Sequence, residues 1–198
     1  MLLLRGRLAA IREYWPVLVF AGLLVIEIGL KHRFTLFDLR ALCVSALPLA
    51  ILGAGQFLVV LTRGVDLSLG PIASVSGVLM AVTVSNNMAV GLLLPLVIGL
   101  IAGLTNGLLV AGLRLPPIIV TLATMSILQG VASVILPDPG GAVPTQLQEV
   151  LIGGFSSPFV SVSVLAILTL AMTWLMSSRF GLHLRAIGGD EHAARMRS

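Results

Sequence analysis

The sequence predicts an all-α fold, a polytopic bundle of transmembrane helices. Of the 198 residues, 58% are hydrophobic and only 10% carry a charge, against about 25% in soluble domains. The mean hydropathy is +1.10, and apolar runs of about 20 residues, the length that crosses a bilayer, recur along the chain. These observations exclude a soluble domain and place the chain in a lipid bilayer.

Six apolar segments are predicted to span the membrane. The first follows several arginines and has no small-residue cleavage site, so it is predicted to be a retained helix rather than a signal peptide. The bundle therefore contains about six spans, with a broken helix near residues 62–71. The predicted spans are about 14–30, 41–62, 69–85, 90–113, 117–136 and 159–177.

The basic residues predict the orientation, because cytoplasmic loops carry an excess of Lys and Arg. The loops "SNNMA" and "PDPGGAVPTQLQEVLIGGFSSP" contain neither, so they are expected outside and the N-terminus in the cytoplasm. Since the basic residues lie at the ends of the spans rather than on one soluble face, no nucleic acid partner is expected. They are Arg5, Arg7 and Arg12 before the first span, Arg63 after the second, Arg114 after the fourth, and Arg179, Arg185, Arg195 and Arg197 after the sixth.

The loop between the first two spans disagrees with this orientation. Lys31, Arg33 and Arg40 lie on the side that alternation makes the outer one. Two short elements or a re-entrant stretch would explain them. Glu27 precedes Lys31 by four residues, which predicts an ion pair on one helix face rather than a proton relay.

The stretch "TRGVDLSLGP", residues 62–71, predicts a helix break followed by a helix start. Pro71 is tolerated only in the first helical turn, which favours Ser68 or Gly70 over Asp66 as the N-cap. Arg63 is within reach of Asp66. Broken helices at membrane depth occur where they line a cavity or lie buried in protein; the alternative is an ordinary cytoplasmic turn with a surface ion pair.

The fourth span carries small residues at every fourth position, which predicts a ridge for helix packing. Gly99, Gly103 and Gly107 are its central members, and Gly91, Pro95 and Ala111 extend it. Asn106 lies beside this ridge. An amide there is more typical of an interhelical hydrogen bond than of a substrate contact.

Three segments in one order carry a family resemblance: "GQFLVVLTRGVDLSLGPIASVSGVLMA", "NGLLVAGLRLPPIIVTLATMSILQG" and "SRFGLHLRAIGGDEHAAR". Together, over residues 15 to 195, they resemble the membrane permease subunits of bacterial ABC importers for ribose, xylose, rhamnose and autoinducer-2. The resemblance implies a permease subunit that forms the membrane path for a monosaccharide or related small sugar. It also implies an ATPase subunit, a second permease subunit (homo- or heterodimer) and a periplasmic sugar-binding protein as partners.

The chain departs from the family pattern at two places. Family members often read GGIDLSVG, so Arg63 stands where a glycine is common. The third motif usually continues past AAR into further spans, whereas here it becomes "AARMRS". Residues 1–198 are therefore interpreted as the N-terminal part of a permease domain, with residues 178–198 as its cytoplasmic coupling segment.

The segment "AIGGDEHAAR" has the composition of a short exposed helix that docks on another subunit. A Gly-Gly break precedes Asp190, which is suited to an N-cap. In the resembling permeases the coupling segment lies here, and a solvated tail is the alternative. The residues expected to couple to the ATPase are Gly188, Gly189, Asp190, Glu191, Ala193, Ala194 and Arg195.

A solute path needs polar side chains at membrane depth rather than catalytic groups. The residues expected to line it are Gln56, Asp66, Ser68 and Asn106. Thr121 and Thr124 are weaker candidates because such hydroxyls more often bond their own helix backbone. No catalytic residue and no cofactor are expected, and His183 and His192, nine residues apart without a third ligand, do not form a typical metal site.

Two other functions compete with the importer permease. An ion-coupled secondary transporter would require paired intramembrane carboxylates and inverted repeats, and no convincing repeat is present. A non-transporting membrane fragment is the second alternative, given the "RMRS" end. A membrane enzyme ranks last, since neither HExxH nor GxSxG occurs in the sequence. A P-loop motif is also missing, so ATP hydrolysis is expected in a separate subunit.

Overall fold

The computed structural model describes residues 2–31, 35–138, 140–149 and 157–189, and every regular element in these ranges is helical. This confirms the all-α prediction. The fourth helix continues into a π-helical turn, Leu108–Gly112. The helices are α1 (Leu2–Leu30), α2 (Leu36–Leu61), α3 (Leu69–Thr83), α4 (Met88–Gly107), α5 (Pro117–Ile135), α6 (Thr145–Gln148), α7 (Pro158–Ser177) and α8 (Arg179–Gly189).

Each of the six predicted spans coincides with a helix. Among the described residues, four helices are at least 18 residues long and apolar enough to cross a bilayer, whereas Val17–Leu30 of α1 and Leu69–Thr83 are shorter apolar stretches. With 15 residues, α3 is one of the shorter ones. A helix of that length does not reach across the hydrocarbon core, which requires about 20 residues. The four long helices are Leu36–Leu61, Met88–Gly112, Pro117–Ile135 and Phe159–Ser177.

The chain divides into two compact units, and the first comprises residues 1–42. A reciprocal capping box starts α2 inside this unit. Thr35 donates its backbone N–H to Asp38 Oδ2 over 2.8 Å, and the Asp38 N–H donates to Thr35 Oγ1 over 3.4 Å. This box explains why α2 begins at Leu36 rather than at the predicted residue 41.

Lys31 forms the expected ion pair with Glu27, at 3.4 Å, and a second with Asp38, at 2.6 Å. The hydrogen bond to Asp38, followed by that to Glu27, raises the pKa of Lys31 above its usual value. Two carboxylates thus offset the charge of Lys31 within the first unit.

The second unit, residues 43–198, is centred on α3, α4 and α5, which pack on one another. Val75, Ala102 and Val120 supply the buried apolar contacts, one from each helix. Where α3 turns into α4, a Cβ on Gly91 would lie 2.5 Å from the Val84 Cα, so only glycine permits this turn.

The small-residue ridge of α4 is in contact only along part of its length. A Cβ on Gly99 would lie 3.7 Å from Ile72 of α3, but one on Gly103 or Gly107 would meet nothing within 4 Å. Positions four residues apart rotate by about 40° per step on an α-helix, so the ridge winds away from α3. Within the described residues Gly103 and Gly107 therefore do not pack against a neighbouring helix, and their packing role stays a prediction.

The loop after α5 returns to the end of α3. Ala142 donates its N–H to the Ala81 carbonyl over 3.3 Å, and the Ser85 hydroxyl donates to the Ala142 carbonyl over 2.8 Å. Gly141 has a φ of 100°, and a Cβ there would lie 2.6 Å from that of Ala81. The close approach of the two backbones thus depends on glycine.

Candidate functional site

The candidate site is built on the break between α2 and α3, residues 62–68. The end of α2 is a Schellman motif. Gly64 donates its N–H to the Val59 carbonyl over 3.1 Å, and Arg63 donates to the Val60 carbonyl over 2.9 Å. Arg63 occupies the left-handed position of this motif, with a φ of 60°. The predicted broken helix is therefore present, with α2 ending at Leu61 and α3 beginning at Leu69.

Asp66 organises the second half of the break. Its Oδ1 accepts hydrogen bonds from the Ser68 N–H, over 2.7 Å, and from the Ser68 hydroxyl, over 2.6 Å. Ser68 is the N-cap residue of α3, as expected, but its side chain makes no capping hydrogen bond. The hydroxyl is held by the carboxylate instead, and Ser68 is completely buried.

Asn106 extends this arrangement to α4 and α5. Its Nδ2 donates to the Ser68 hydroxyl oxygen over 2.9 Å, and its Oδ1 lies 2.6 Å from the donating Thr124 hydroxyl. All donors then point the same way, from Thr124 through Asn106 and Ser68 to the Asp66 carboxylate. Bonds aligned in this manner polarise one another. We call Asp66, Ser68, Asn106 and Thr124 the polar network.

The neighbouring Thr121 ties α5 to the break by a second route. Its hydroxyl lies 3.4 Å from the Val65 carbonyl and 2.9 Å from the Pro117 carbonyl of its own helix. Thr121 is buried, with only 3% of its surface exposed. The break is thus held by α4 through Asn106 and by α5 through two threonines.

Gln56 lies on α2, outside the polar network. It is half-buried, and its Oε1 is a buried acceptor without a hydrogen-bond partner among the described residues. An unsatisfied polar atom is costly in an apolar environment, and the described residues supply no partner that offsets this cost for Gln56.

Arg63, which lies within reach of Asp66 in the sequence, forms no ion pair with it among the described residues. Its Nη2 donates to the Gly189 carbonyl over 2.9 Å, and the ion pairs among the described residues are those of Lys31. The left-handed backbone directs this side chain to the end of α8 rather than along the break. Arg63 therefore bonds a backbone carbonyl of α8 rather than the carboxylate that lies nearest to it in the sequence.

The predicted coupling residues lie only partly within the described structure. Gly188 and Gly189 are helical and are the last two residues of α8 that the structure describes, so the predicted Gly-Gly break stays a prediction. Asp190, Glu191, Ala193, Ala194 and Arg195 lie outside the described residues, as does His192. His183 lies within α8, where its Nδ1 is 2.6 Å from the Arg179 carbonyl.

The polar network contains one residue that the sequence interpretation rated low, Thr124. Its hydroxyl lies near its own Val120 carbonyl, at 3.1 Å, as expected for a helical threonine, and also reaches Asn106. The signal that could have identified it is its spacing, because residues three and four apart share a helix face. Thr121 and Thr124 lie on the same face as the buried Val120.

The side chains at the break are hydroxyl, amide and carboxylate groups, and the carboxylate of Asp66 already accepts two hydrogen bonds. Hydroxyl-bearing solutes form hydrogen bonds with these groups without any covalent step.

Comparison with known proteins identifies the family. Residues 39–197 match the model of the family described as "Branched-chain amino acid transport system / permease component". No solved structure matches the chain.

Among curated proteins, the chain is similar to the autoinducer 2 import system permease protein LsrC of Photorhabdus luminescens, with 33% identity over 190 residues. The match covers 90% of this chain and 55% of that protein. The protein of the same name from Yersinia pestis (strain Pestoides F) is 33% identical over 189 residues, which cover 89% and 51% of the two chains. The chain spans about half the length of these relatives, and it belongs to the permease family that its residues 39–197 match.

Proposed function

We propose that this chain forms the N-terminal part of the membrane path of an ATP-driven importer for a monosaccharide or related small sugar. The observation that carries the proposal is the polar network at the break, in which Asp66 and Ser68 meet Asn106 and Thr124 within the α3, α4 and α5 core. Membership of the permease family supports transport, and the described groups suit a solute rich in hydroxyls.

Gln56 and the polar network have different roles in this proposal. The Gln56 carbonyl oxygen lacks a donor among the described residues and is available to accept from a solute hydroxyl. Ser68 and Asn106 are buried and bonded to each other, so they shape the path by fixing the break. Asp66, half-buried at one end of the network, is the member with remaining acceptor capacity.

The proposed partners follow from membership of the permease family and from the similarity to permeases of import systems. A permease of this kind works with an ATPase subunit, a second permease subunit and a periplasmic binding protein in a bacterial inner membrane. The N-terminus is proposed to be cytoplasmic, because Arg63, Arg114 and α8 then lie on the cytoplasmic side, where basic residues concentrate. On that side the segment from residue 178 would meet the ATPase.

Uptake by the reconstituted importer tests this function. The chain would be combined with the C-terminal spans of a relative, the cognate ATPase and the binding protein, and uptake of labelled monosaccharides measured with leucine as a competitor. We expect ATP-dependent sugar uptake that leucine does not reduce and that Gln56→Leu abolishes. Uptake that persists without the ATPase would overturn the proposal, as would competition by leucine.

Co-purification tests the coupling role separately. In detergent, the chain should retain the cognate ATPase subunit, and removal of residues 186–198 should abolish retention. Gly130→Ala is the control outside this segment, because a Cβ there meets nothing within 4 Å. Retention that does not depend on residues 186–198 would contradict the proposed coupling segment.

A further inference from the structure

Arg63 adopts a backbone conformation that suits glycine, and its side chain reaches a distant helix. Its φ is 60°, a conformation that is unfavourable for a residue with a Cβ and far less so for glycine. The Nη2 of Arg63 donates to the carbonyl of Gly189, 126 residues later in the sequence. Gly189 is the last residue of α8 that the structure describes, and a guanidinium is a strong donor to a backbone carbonyl.

A second contact brings the same two helix ends together. A Cβ on Gly188 would collide with the Leu61 carbonyl oxygen and lie 3.9 Å from the Thr62 Cα. The end of α8 thus approaches the end of α2 at a distance that only glycine allows. The strained Arg63 and the close contact at Gly188 lie at the same place. This coincidence indicates a specific joint rather than an incidental surface contact.

The backbone of Arg63 belongs to the break itself. Its N–H completes the Schellman motif of α2, and two residues later the Val65 carbonyl accepts from Thr121. Asp66, at the end of the polar network, follows directly. One residue therefore touches α8 through its side chain and is continuous with the candidate site through its backbone.

We propose that Arg63 is a positioning residue that joins the end of α8 to the break. Its guanidinium holds Gly189 against the end of α2, so a displacement of the chain after α8 shifts the break and the polar network. The meaning of this joint for transport rests on the proposed function, because the segment after Gly189 is the proposed ATPase contact. Coupling of this kind is reciprocal, which allows a test on the chain alone.

The test uses hydrogen exchange of the full chain in detergent micelles, measured for residues 62–69 and 179–189. Arg63→Asn removes the guanidinium while keeping a residue that tolerates the left-handed conformation. Gly188→Ala displaces α8 from Leu61. We expect each substitution to raise exchange in both segments roughly 2- to 5-fold, the change that corresponds to an interaction of a cation with a helix terminus.

The controls isolate the joint. Arg114→Asn changes the other left-handed arginine, with a φ of 56°, which makes no hydrogen bond to α8 among the described residues. Gly189→Ala adds a Cβ that meets nothing within 4 Å. Neither should alter exchange in residues 62–69, and Arg63→Lys, which retains a cation, should restore most of the protection in α8.

The double variant Arg63→Asn with Gly188→Ala provides the decisive comparison. If both substitutions break the same joint, their effects are not additive. We then expect the double variant to exchange little faster than either single variant. Additive effects, or loosening of α8 without change in residues 62–69, would overturn the proposal. Exchange in α5 checks the fold, and if Gly188→Ala raises it, the comparison of Arg63→Asn with Arg63→Lys decides.

No ATPase enters this experiment, so its outcome is separate from that of the proposed function. An importer that retains its ATPase but shows no joint would reject the role proposed for Arg63 and leave the proposed function standing. Conversely, a chain that retains no ATPase but shows non-additive exchange keeps the joint and rejects the coupling role.

Discussion

The side-chain amide of Asn106, near the end of α4, donates a hydrogen bond of 2.9 Å to the hydroxyl of Ser68, at the start of α3. Both residues are buried, with exposures of 6% and 0%. Because Ser68 donates its own proton to Asp66 and Asn106 accepts from Thr124, this bond lies in the middle of the polar network. It joins the break to the helices that support it.

Asn106→Ala is expected to destabilise the second unit by about 1–3 kcal/mol, since it removes two interhelical hydrogen bonds that in membrane proteins contribute about 0.6 to 1.7 kcal/mol each. Unfolding in a denaturing detergent, followed by circular dichroism, measures the change. Thr105→Ala is the control, because the exposed Thr105 hydroxyl bonds, among the described residues, only the Ile101 carbonyl of its own helix. Equal losses for the two variants would contradict the role assigned to the network.

The break and its N-cap were predictable, while the partners of the polar residues were not. Glycines and Pro71 placed the break correctly because their backbone preferences are local. Ser68 then proved to bond Asp66 rather than its helix, and Asn106 to bond a residue 38 positions away. Such pairings depend on how α3 and α4 cross, which a single sequence does not encode in readable form.

Arg63 and the small-residue ridge show the same limit. Proximity in sequence favoured an ion pair with Asp66, but the chain reverses at Arg63 and presents the guanidinium to α8. Along the four-residue spacing in α4, a Cβ on Gly99 would lie 3.7 Å from Ile72, whereas Gly103 and Gly107 meet no neighbour in the described part of the chain, because helical rotation turns them away from α3. Periodicity identifies a stripe on a helix without identifying what covers each part of it.

Gly91→Ala is expected to destabilise the chain by about 1–3 kcal/mol, the usual cost of forcing atoms into a packed site. The new Cβ would lie 2.5 Å from the Val84 Cα and 2.8 Å from its backbone nitrogen, so backbone must move.

Gly103→Ala is the matched control on the same helix. Its Cβ meets nothing within 4 Å. Alanine favours a helix over glycine by about 1 kcal/mol, so stability should be unchanged or slightly higher. Thermal unfolding of both variants in detergent measures the difference. A loss of stability in Gly103→Ala would show that another element covers this position.

Gly141→Ala is expected to release the loop after α5 from α3. A Cβ would lie 2.6 Å from the Ala81 Cβ, at a position whose φ is 100°. Alanine is disfavoured in that conformation. The hydrogen bonds of Ala142 with Ala81 and Ser85 should weaken together, which raises amide exchange across residues 140–149.

Gly140→Ala serves as the control for the loop, because the atom nearest to its Cβ would be the Asp138 carbonyl oxygen at 3.9 Å. Exchange in this variant should match that of the unmodified chain. If both substitutions raise exchange equally, the loop is held by something other than the close approach of Gly141 to Ala81.

The variant Gln56→Leu distinguishes a structural role of the Gln56 side chain from a functional one. Gln56 Oε1 is buried without a partner among the described residues. Replacing it by an apolar side chain removes an unmet desolvation cost of about 1–3 kcal/mol. We therefore expect the stability of the chain to be unchanged or higher, while sugar uptake by the reconstituted importer is lost.

Asn106→Ala provides the contrast to Gln56→Leu, because the Asn106 amide is bonded on both sides and its loss should reduce stability. Denaturation in detergent and uptake by the reconstituted importer are measured on both variants. A Gln56→Leu variant that is less stable, or that transports normally, would assign Gln56 to the scaffold. Opposite responses of stability and uptake would assign it to the solute, since a group that serves only the fold cannot be removed without cost to the fold.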